Sequence, residues 1–367
     1  MRLKRVFLIY LIVAGLAVYP AAIAASSPDN NNGKTLPETE EQHGEEEEFN
    51  PSEFIFEHIA DSHEWHLFTL PDGHHVSIYL PVIVYSKTRG LNIFSSKHLS
   101  HGHHHRGFMI VEEGELEGKI VEVDDEGNIN EEELPLDLSI TKNVTAMMIV
   151  AVILLWLFIS LAKSYRRTGI SEPKGIQGFL EPVVMFVRDD IAIPNIGEEK
   201  YSRYMPYLLT VFFFILLNNL MGLVPFFPGG ANVTGNIAVT FTLAAFTMII
   251  INFTGTKNYW KHIFNTPGVP WWLKVPLPLM PLVELIGVIA KPFALMVRLF
   301  ANITAGHIIV LSLVSLIFIF KSVAFAPVSI IMVLFMDLIE LLVAFLQAYI
   351  FTLLSALFIG LAVHEEH

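Results

Sequence analysis

Glu284, Lys291 and Arg298 stand seven residues apart, and Asn302 follows four residues later. Seven residues are about two helical turns, so on a helix these side chains fall on or near one face. A second series, Asp337, Glu340 and Gln347, follows at three- and seven-residue spacing, with Ser355 beyond it. His307 lies in the apolar run FALMVRLFANITAGHIIVLSL, nine residues after Arg298. A charge at the centre of a bilayer costs about 2.5 to 3.5 kcal/mol on insertion scales, so such groups are expected to face a watery cavity or a partner, and to serve an ion or proton path. Carboxylates and an imidazole can hand a proton on. The plainer readings are ion pairing of Asp337 and Glu284 with nearby cations, and interhelical hydrogen bonding by His307. Arg298 resists the plain reading: it lies mid-segment, cannot reach far toward water, and stays charged.

The elements that carry these residues are read from hydropathy. The 367 residues are 53% hydrophobic with mean hydropathy +0.53, which excludes an ordinary soluble domain. Segments 143–162, 206–227 and 236–255 are each long enough to cross a bilayer. Segments 281–320 and 327–363 are too long: at about 1.5 Å per residue they run roughly 55 to 60 Å, nearly twice the hydrocarbon thickness. They must tilt steeply, break or lie partly in the membrane plane, and Pro292 permits a bend. In GIQGFLEPVVMFVRDDIA, the positions Ile176, Phe179, Leu180, Val183, Val184 and Val187 recur at helical spacing, which predicts a helix on the membrane surface, against the presence of Pro182. The expected fold class is an all-α polytopic membrane protein with about five membrane-embedded helices plus a surface helix, the last two long and strongly tilted, carrying a small β-rich exported N-terminal domain.

Charge divides the chain in two. Of the 36 acids, roughly 25 fall between residues 26 and 143, against about seven Lys and Arg. Residues 1–25, with a basic start, an apolar run and small residues at the end, predict a signal peptide, and 26–52 an acidic disordered tether. Residues 53–140 predict an exported β-rich extension with hairpins about Pro71-Asp72-Gly73 and Asp125 to Gly127, and 141–367 the membrane domain. The loop after the first span carries Lys163, Arg166, Arg167, Lys174, Arg188, Lys200 and Arg203, and the loop after the third Lys257, Lys261 and Lys274, whereas FFPGGANVTGN carries no Lys or Arg. By the positive-inside rule the basic loops and the C-terminus face the cytoplasm and the acidic extension faces outside.

Other chemistry is poorly supported. The chain has no cysteine, so neither a disulfide scaffold nor thiol redox chemistry is expected. His98 to His105 contain His101, His103 and His105 as weak metal candidates, but adjacent histidines cannot all point at one ion, and a solvated loop is the preferred reading. Gly33-Lys34-Thr35 lacks the first glycine of a phosphate loop, Pro28 standing there. No cofactor and no nucleic-acid partner is implied. A secondary transporter with midplane ionisable residues is the alternative function; such folds show internal repeats, and none is evident here.

RLFANITAGH, then FMDLIELLVAFLQAYIFTLLSALFIG and a HEEH end, resemble subunit a of the membrane sector of rotary ATP synthases, from about residue 140 onward. The resemblance implies a non-catalytic stator subunit of a bacterial plasma membrane that couples proton flow through two half-channels to rotation of a c-ring. Its implied partners are the c-ring, subunit b of the peripheral stalk, lipid, and H⁺ as cargo, with Na⁺ the other choice. It places Arg298 toward the ring, Asn302 one turn away and Gln347 near the arginine, with Glu284 and Lys291 lining the cytoplasmic channel. Many members have A-G-E where this chain has Ala305-Gly306-His307, and a histidine where it has Glu340. Acid and imidazole have exchanged helices, which is expected to leave a coupled pair, His307 with Glu340, in the outer channel.

Overall fold

The computed structural model describes residues 51, 55, 59–69, 75–111, 116, 118–124, 129, 134–168, 175–224, 227–264, 279–320 and 326–363. The signal expected at 1–25, the tether at 26–52 apart from Pro51, and the Pro71-Asp72-Gly73 turn lie outside them.

Strands β1 (Glu64–Thr69) and β2 (His75–Tyr79) pair antiparallel on either side of that predicted turn. Strand β3 (Pro81–Ser86) is the centre of a three-stranded antiparallel sheet between β4 (Gly90–Ser95) and β7 (Leu136–Asp137), and β5 (Phe108–Ile110) pairs with β6 (Ile120–Glu122). Alternation along β3 sends Val82 and Val84 inward, where they pack with Leu99, Phe108 and Ile120. A buried carboxylate pins this small core. Glu122 accepts hydrogen bonds from the Ser86 hydroxyl at 2.6 Å, the Thr88 hydroxyl and Arg89 Nε at 2.9 Å. Arg89 then donates to the Arg106 and Val123 carbonyls. Burial alone would raise the Glu122 pKa, but these donors outweigh it and hold the carboxyl below its ordinary value.

Two contacts fasten this domain to the membrane helices. Asp61 accepts from the Asn143 backbone N–H at 3.0 Å and the Thr141 hydroxyl at 2.8 Å, so a carboxylate some eighty residues upstream caps the first long helix. Trp65 is buried with Ala146, Ala231 and Val233, and meets the Phe227 ring edge-on at 5.1 Å.

Among the described residues the α-helices are α1 (Lys142–Thr168), α2 (Ile176–Phe186), α3 (Ile193–Ile196), α4 (Tyr201–Gly222), α5 (Ile237–Thr254), α6 (Lys257–Phe264), α7 (Leu279–Ile319) and α8 (Ala326–Val363). Five of them, α1, α4, α5, α7 and α8, are long and apolar enough to cross a membrane. Their outward faces carry exposed Val152, Phe253, Leu282 and Leu342, which suits lipid as the surrounding solvent. Both long helices are continuous: α7 runs through Pro292 over 41 residues, about 60 Å at 1.5 Å per residue, so tilt rather than a break must fit it to a bilayer.

The segment expected on the membrane surface is helical, and Pro182 sits inside α2 without ending it. It is more deeply packed than a surface helix. Leu180 and Val187 join the main core with Leu208, Phe212, Leu299, Phe351 and Ile359, while Ile176 and Phe179 face outward. A π-helical stretch, Val187–Ala192, joins α2 to α3 and keeps Val187, Ile191 and Ala192 buried. Gly360 of α8 is pressed against the Asn195 carbonyl so closely that a Cβ would overlap it. The last carbonyls of α8 are satisfied from other segments: Thr256 N–H donates to Ala362 at 3.0 Å and Lys200 Nζ to Val363 at 2.9 Å.

Candidate functional site

Helices α7 and α8 pack along each other and bring the two polar series together in three groups. The middle group holds Arg298, Asn302 and Gln347. Leu295 and Leu299 turn α7 into the core, and Arg298 stands on the adjoining, exposed flank with Ala301 and Ala305. Among the described residues Arg298 makes no ion pair and no hydrogen bond. Four residues on, Asn302 Nδ2 donates to Gln347 Oε1 at 2.9 Å, and Gln347 is only 1% exposed. Asn302, one turn from the arginine, is thus bonded directly to Gln347 across α7 and α8.

One flanking group lies toward the N-terminal domain. His307 Nδ1 donates to the Ile303 carbonyl at 3.2 Å. Its other nitrogen then faces Gly222 at the end of α4, where a Cβ would stand 3.7 Å from Nε2. Glu340 is buried, and its carboxylate rests on Gly306; a side chain at that position would collide with it. Glu340 Oε1 and Thr304 Oγ1 accept or give no hydrogen bond among the described residues. His307 and Glu340 thus occupy adjoining places without a direct bond to each other. Asp337 lies one turn from Glu340 and is half-buried.

The other flanking group lies at the start of α7 and the end of α8. Lys291 Nζ stands 5.6 Å from the Phe358 ring centroid, a cation–π contact. It lines a cleft of about 20 Å³ with Asn252, Tyr259 and Pro292. Burial, and then the charge of Glu284, raise the Tyr259 phenol above its ordinary pKa. Along α7, about 10 Å separates Lys291 from Arg298 and about 13 Å separates Arg298 from His307 at 1.5 Å per residue.

Sequence reasoning passed over several buried polar residues. Asn219 donates to the Ala344 carbonyl at 3.3 Å and accepts from the Thr234 hydroxyl at 2.6 Å. Tyr207 and Thr247 share a 2.6 Å hydrogen bond, and Thr247 in turn reaches Ser355 at 3.5 Å. The signal for the first was available in Asn218-Asn219, two amides at adjacent positions in an apolar run. In the histidine tract the fold stacks His98 on His105 at 4.5 Å, and His103 and His104 are exposed. Among the described residues no three His, Asp or Glu side chains converge on a possible metal position.

The sequence model of the family described as ATP synthase A chain matches residues 144–360, and that of a domain of unknown function (DUF8433) matches 54–141. The chain is 50% identical over 239 residues to the ATP synthase subunit a of Chloroherpeton thalassium, covering 63% of this chain and 69% of the relative. It is 50% identical over 238 residues to ATP synthase subunit a 2 of Chlorobium luteolum, covering 63% and 67%. It is 46% identical over 242 residues to the ATP synthase subunit a of Myxococcus xanthus, covering 63% and 77%. All three alignments leave over a third of this chain unmatched, in keeping with an extension that has its own family. With five apolar helices of spanning length and a family match over more than half its length, this chain belongs to the ATP synthase A chain family.

Proposed function

We propose that the chain is the ion-conducting stator of a bacterial ATP synthase, a non-catalytic subunit that offers two proton half-channels to a rotating c-ring. The observation that carries this reading is the setting of Arg298: a permanent cation on an exposed apolar flank of α7, with no acid beside it among the described residues. A charge so placed is costly unless a partner supplies the counter-charge. Ring carboxylates passing the flank would do so one after another. The guanidinium's field lowers the pKa of whichever carboxylate faces it, releases the proton, and repels protons that would leak between the channels.

His307, Glu340 and Asp337 form the entry on the side of the N-terminal domain, and Glu284 with Lys291 the exit at the opposite end. Arg298, Asn302 and Gln347 hold the middle. With the positive-inside orientation, the extension and the first group face outside and the C-terminus faces the cytoplasm. The signal, tether, extension and membrane domain are divided near residues 25, 52 and 140. The cargo is H⁺, with Na⁺ as the other choice; subunit b of the peripheral stalk and lipid complete the surroundings. Each charge moved gains roughly 2.3 kcal/mol per 100 mV.

The chain has no cysteine, so single sites can be cross-linked cleanly. In the assembled enzyme, Ala301→Cys, exposed beside Arg298, is expected to form a disulfide with a cysteine placed next to the ring carboxylate, and Val152→Cys on α1 is not. Cross-linking at 152 with none at 301 would refute the assignment of the α7 flank to the ring.

A further inference from the structure

The three-stranded sheet of the N-terminal domain carries large apolar side chains on both faces. Its inner face is the domain core. Its outer face is a regular grid: Leu91, Tyr85 and Leu136 stand side by side across β4, β3 and β7, and Ile93 and Ile83 are paired in the next row. Leu138 completes that row, its backbone N–H donating to the Ile83 carbonyl at 2.8 Å. Of these six, Leu91 is 60% exposed, Ile93 57%, Leu136 58%, Leu138 56% and Tyr85 48%. An antiparallel sheet with one solvated face should alternate apolar and polar residues. Here β3 is apolar on both sides, and in β7 the alternation Leu136-Asp137-Leu138-Ser139 turns its apolar side outward, so the outer face has an apolar occupant.

The position of the grid identifies that occupant. Leu138 is four residues before Lys142, where α1 and its spanning segment begin. Four residues of extended chain reach at most about 14 Å, and the second row is two residues, about 7 Å, farther along the strands. The β7 column is therefore within about 21 Å of the start of α1, and the β4 column, two strand spacings or about 10 Å farther across, within about 30 Å. Asp61 and Trp65 tie the domain down at the same end of the helix bundle, and the exposed apolar surface resumes on α1 at Met148 and Val152. Exposed Lys97, just past β4, flanks the grid, where lipid phosphates would meet it. Tyrosine is common at such an interface. We infer that the outer face of the β4-β3-β7 sheet lies on the membrane, with its six apolar side chains seated in the leaflet that α1 enters. The extension is then a membrane-resting platform beside α1.

Spin labels at single cysteines test this in the full chain reconstituted into phosphatidylcholine vesicles with a fraction of phosphatidylglycerol. Leu91→Cys, Ile93→Cys and Leu136→Cys report the outer face, and His104→Cys, at an exposed position away from that face, serves as the aqueous reference; all four replace exposed residues that make no side-chain hydrogen bond among the described residues, so folding is retained. Labels at 91, 93 and 136 are expected to show an oxygen-to-nickel-chelate collision ratio several-fold above that at 104. A ratio at 91, 93 and 136 equal to that at 104 would overturn the inference. So would labels shielded from both reagents, because that result means protein, for instance a second copy of this chain, covers the face. As a second arm, Ile93→Lys combined with Leu91→Lys should shift the 136 label toward the aqueous ratio.

Discussion

Glu122 in the N-terminal domain and Arg298 in α7 are both charged groups held in apolar surroundings, and the chain treats them in opposite ways. Glu122 is buried and accepts hydrogen bonds from Ser86, Thr88 and Arg89, so its charge holds β6 to the end of β3 and the turn that follows it. Arg298 is exposed and has no such partner among the described residues, although a bonded Asn302–Gln347 pair fixes the helix one turn away. Glu340 resembles neither case fully: it is buried like Glu122, but one of its oxygens has no donor among the described residues. A satisfied charge makes a fixed joint, whereas a charge left open in a rigid frame can serve a group that comes and goes.

The largest effects should come from the open groups. His307→Glu alone and Glu340→His alone are each expected to reduce proton-driven ATP synthesis about 10²-fold, the scale of losing a placed acid or base. The double exchange should recover part of it; no recovery would show that the two do not act together. Gly306→Val comes next. Its side chain must displace the Glu340 carboxylate, and a shift of about 1 Å at a reacting group suffices for a loss of tenfold or more. Passive proton conductance through the assembled membrane sector measures it, and an unchanged conductance would remove Glu340 from the path.

Glu122→Gln should act on the other region only. Exchanging the ionised acceptor for an amide is expected to destabilise the N-terminal domain by about 2 kcal/mol, read as faster proteolysis of the extension in the full chain, with proton conductance unchanged. Because the folded carboxyl titrates below its ordinary value, its stabilisation is complete above the unfolded pKa near about 4.3 and is lost as pH falls through the folded value. The difference between wild type and Glu122→Gln should therefore shrink in acid. A difference that grew in acid would mean Glu122 is not held ionised by its donors.

Periodicity exposed much of this architecture. Five apolar runs became five helices, and the seven-residue spacing of Glu284, Lys291 and Arg298 marked out a polar series along α7. Local pattern could not show joints made at long range. Asp61 caps a helix that starts at residue 142, and Trp65 packs on a loop more than 160 residues away; neither contact leaves a periodic trace. The α2 stripe was visible, but its burial against α4 and α8 depends on partners that a single segment does not reveal. The same limit hid Asn219, whose bond to the Ala344 carbonyl spans α4 and α8. Placing acid and imidazole on exchanged helices required the family resemblance, and the structure adds that the two adjoin through Gly306 rather than through a direct bond.

The most direct test is Arg298→Ala in the assembled enzyme, measured as ATP synthesis driven by an imposed proton gradient together with passive proton conductance. If the open guanidinium serves passing carboxylates and bars a leak, synthesis falls to background while the enzyme still assembles with its ring. Sustained proton-driven synthesis in that variant would contradict it.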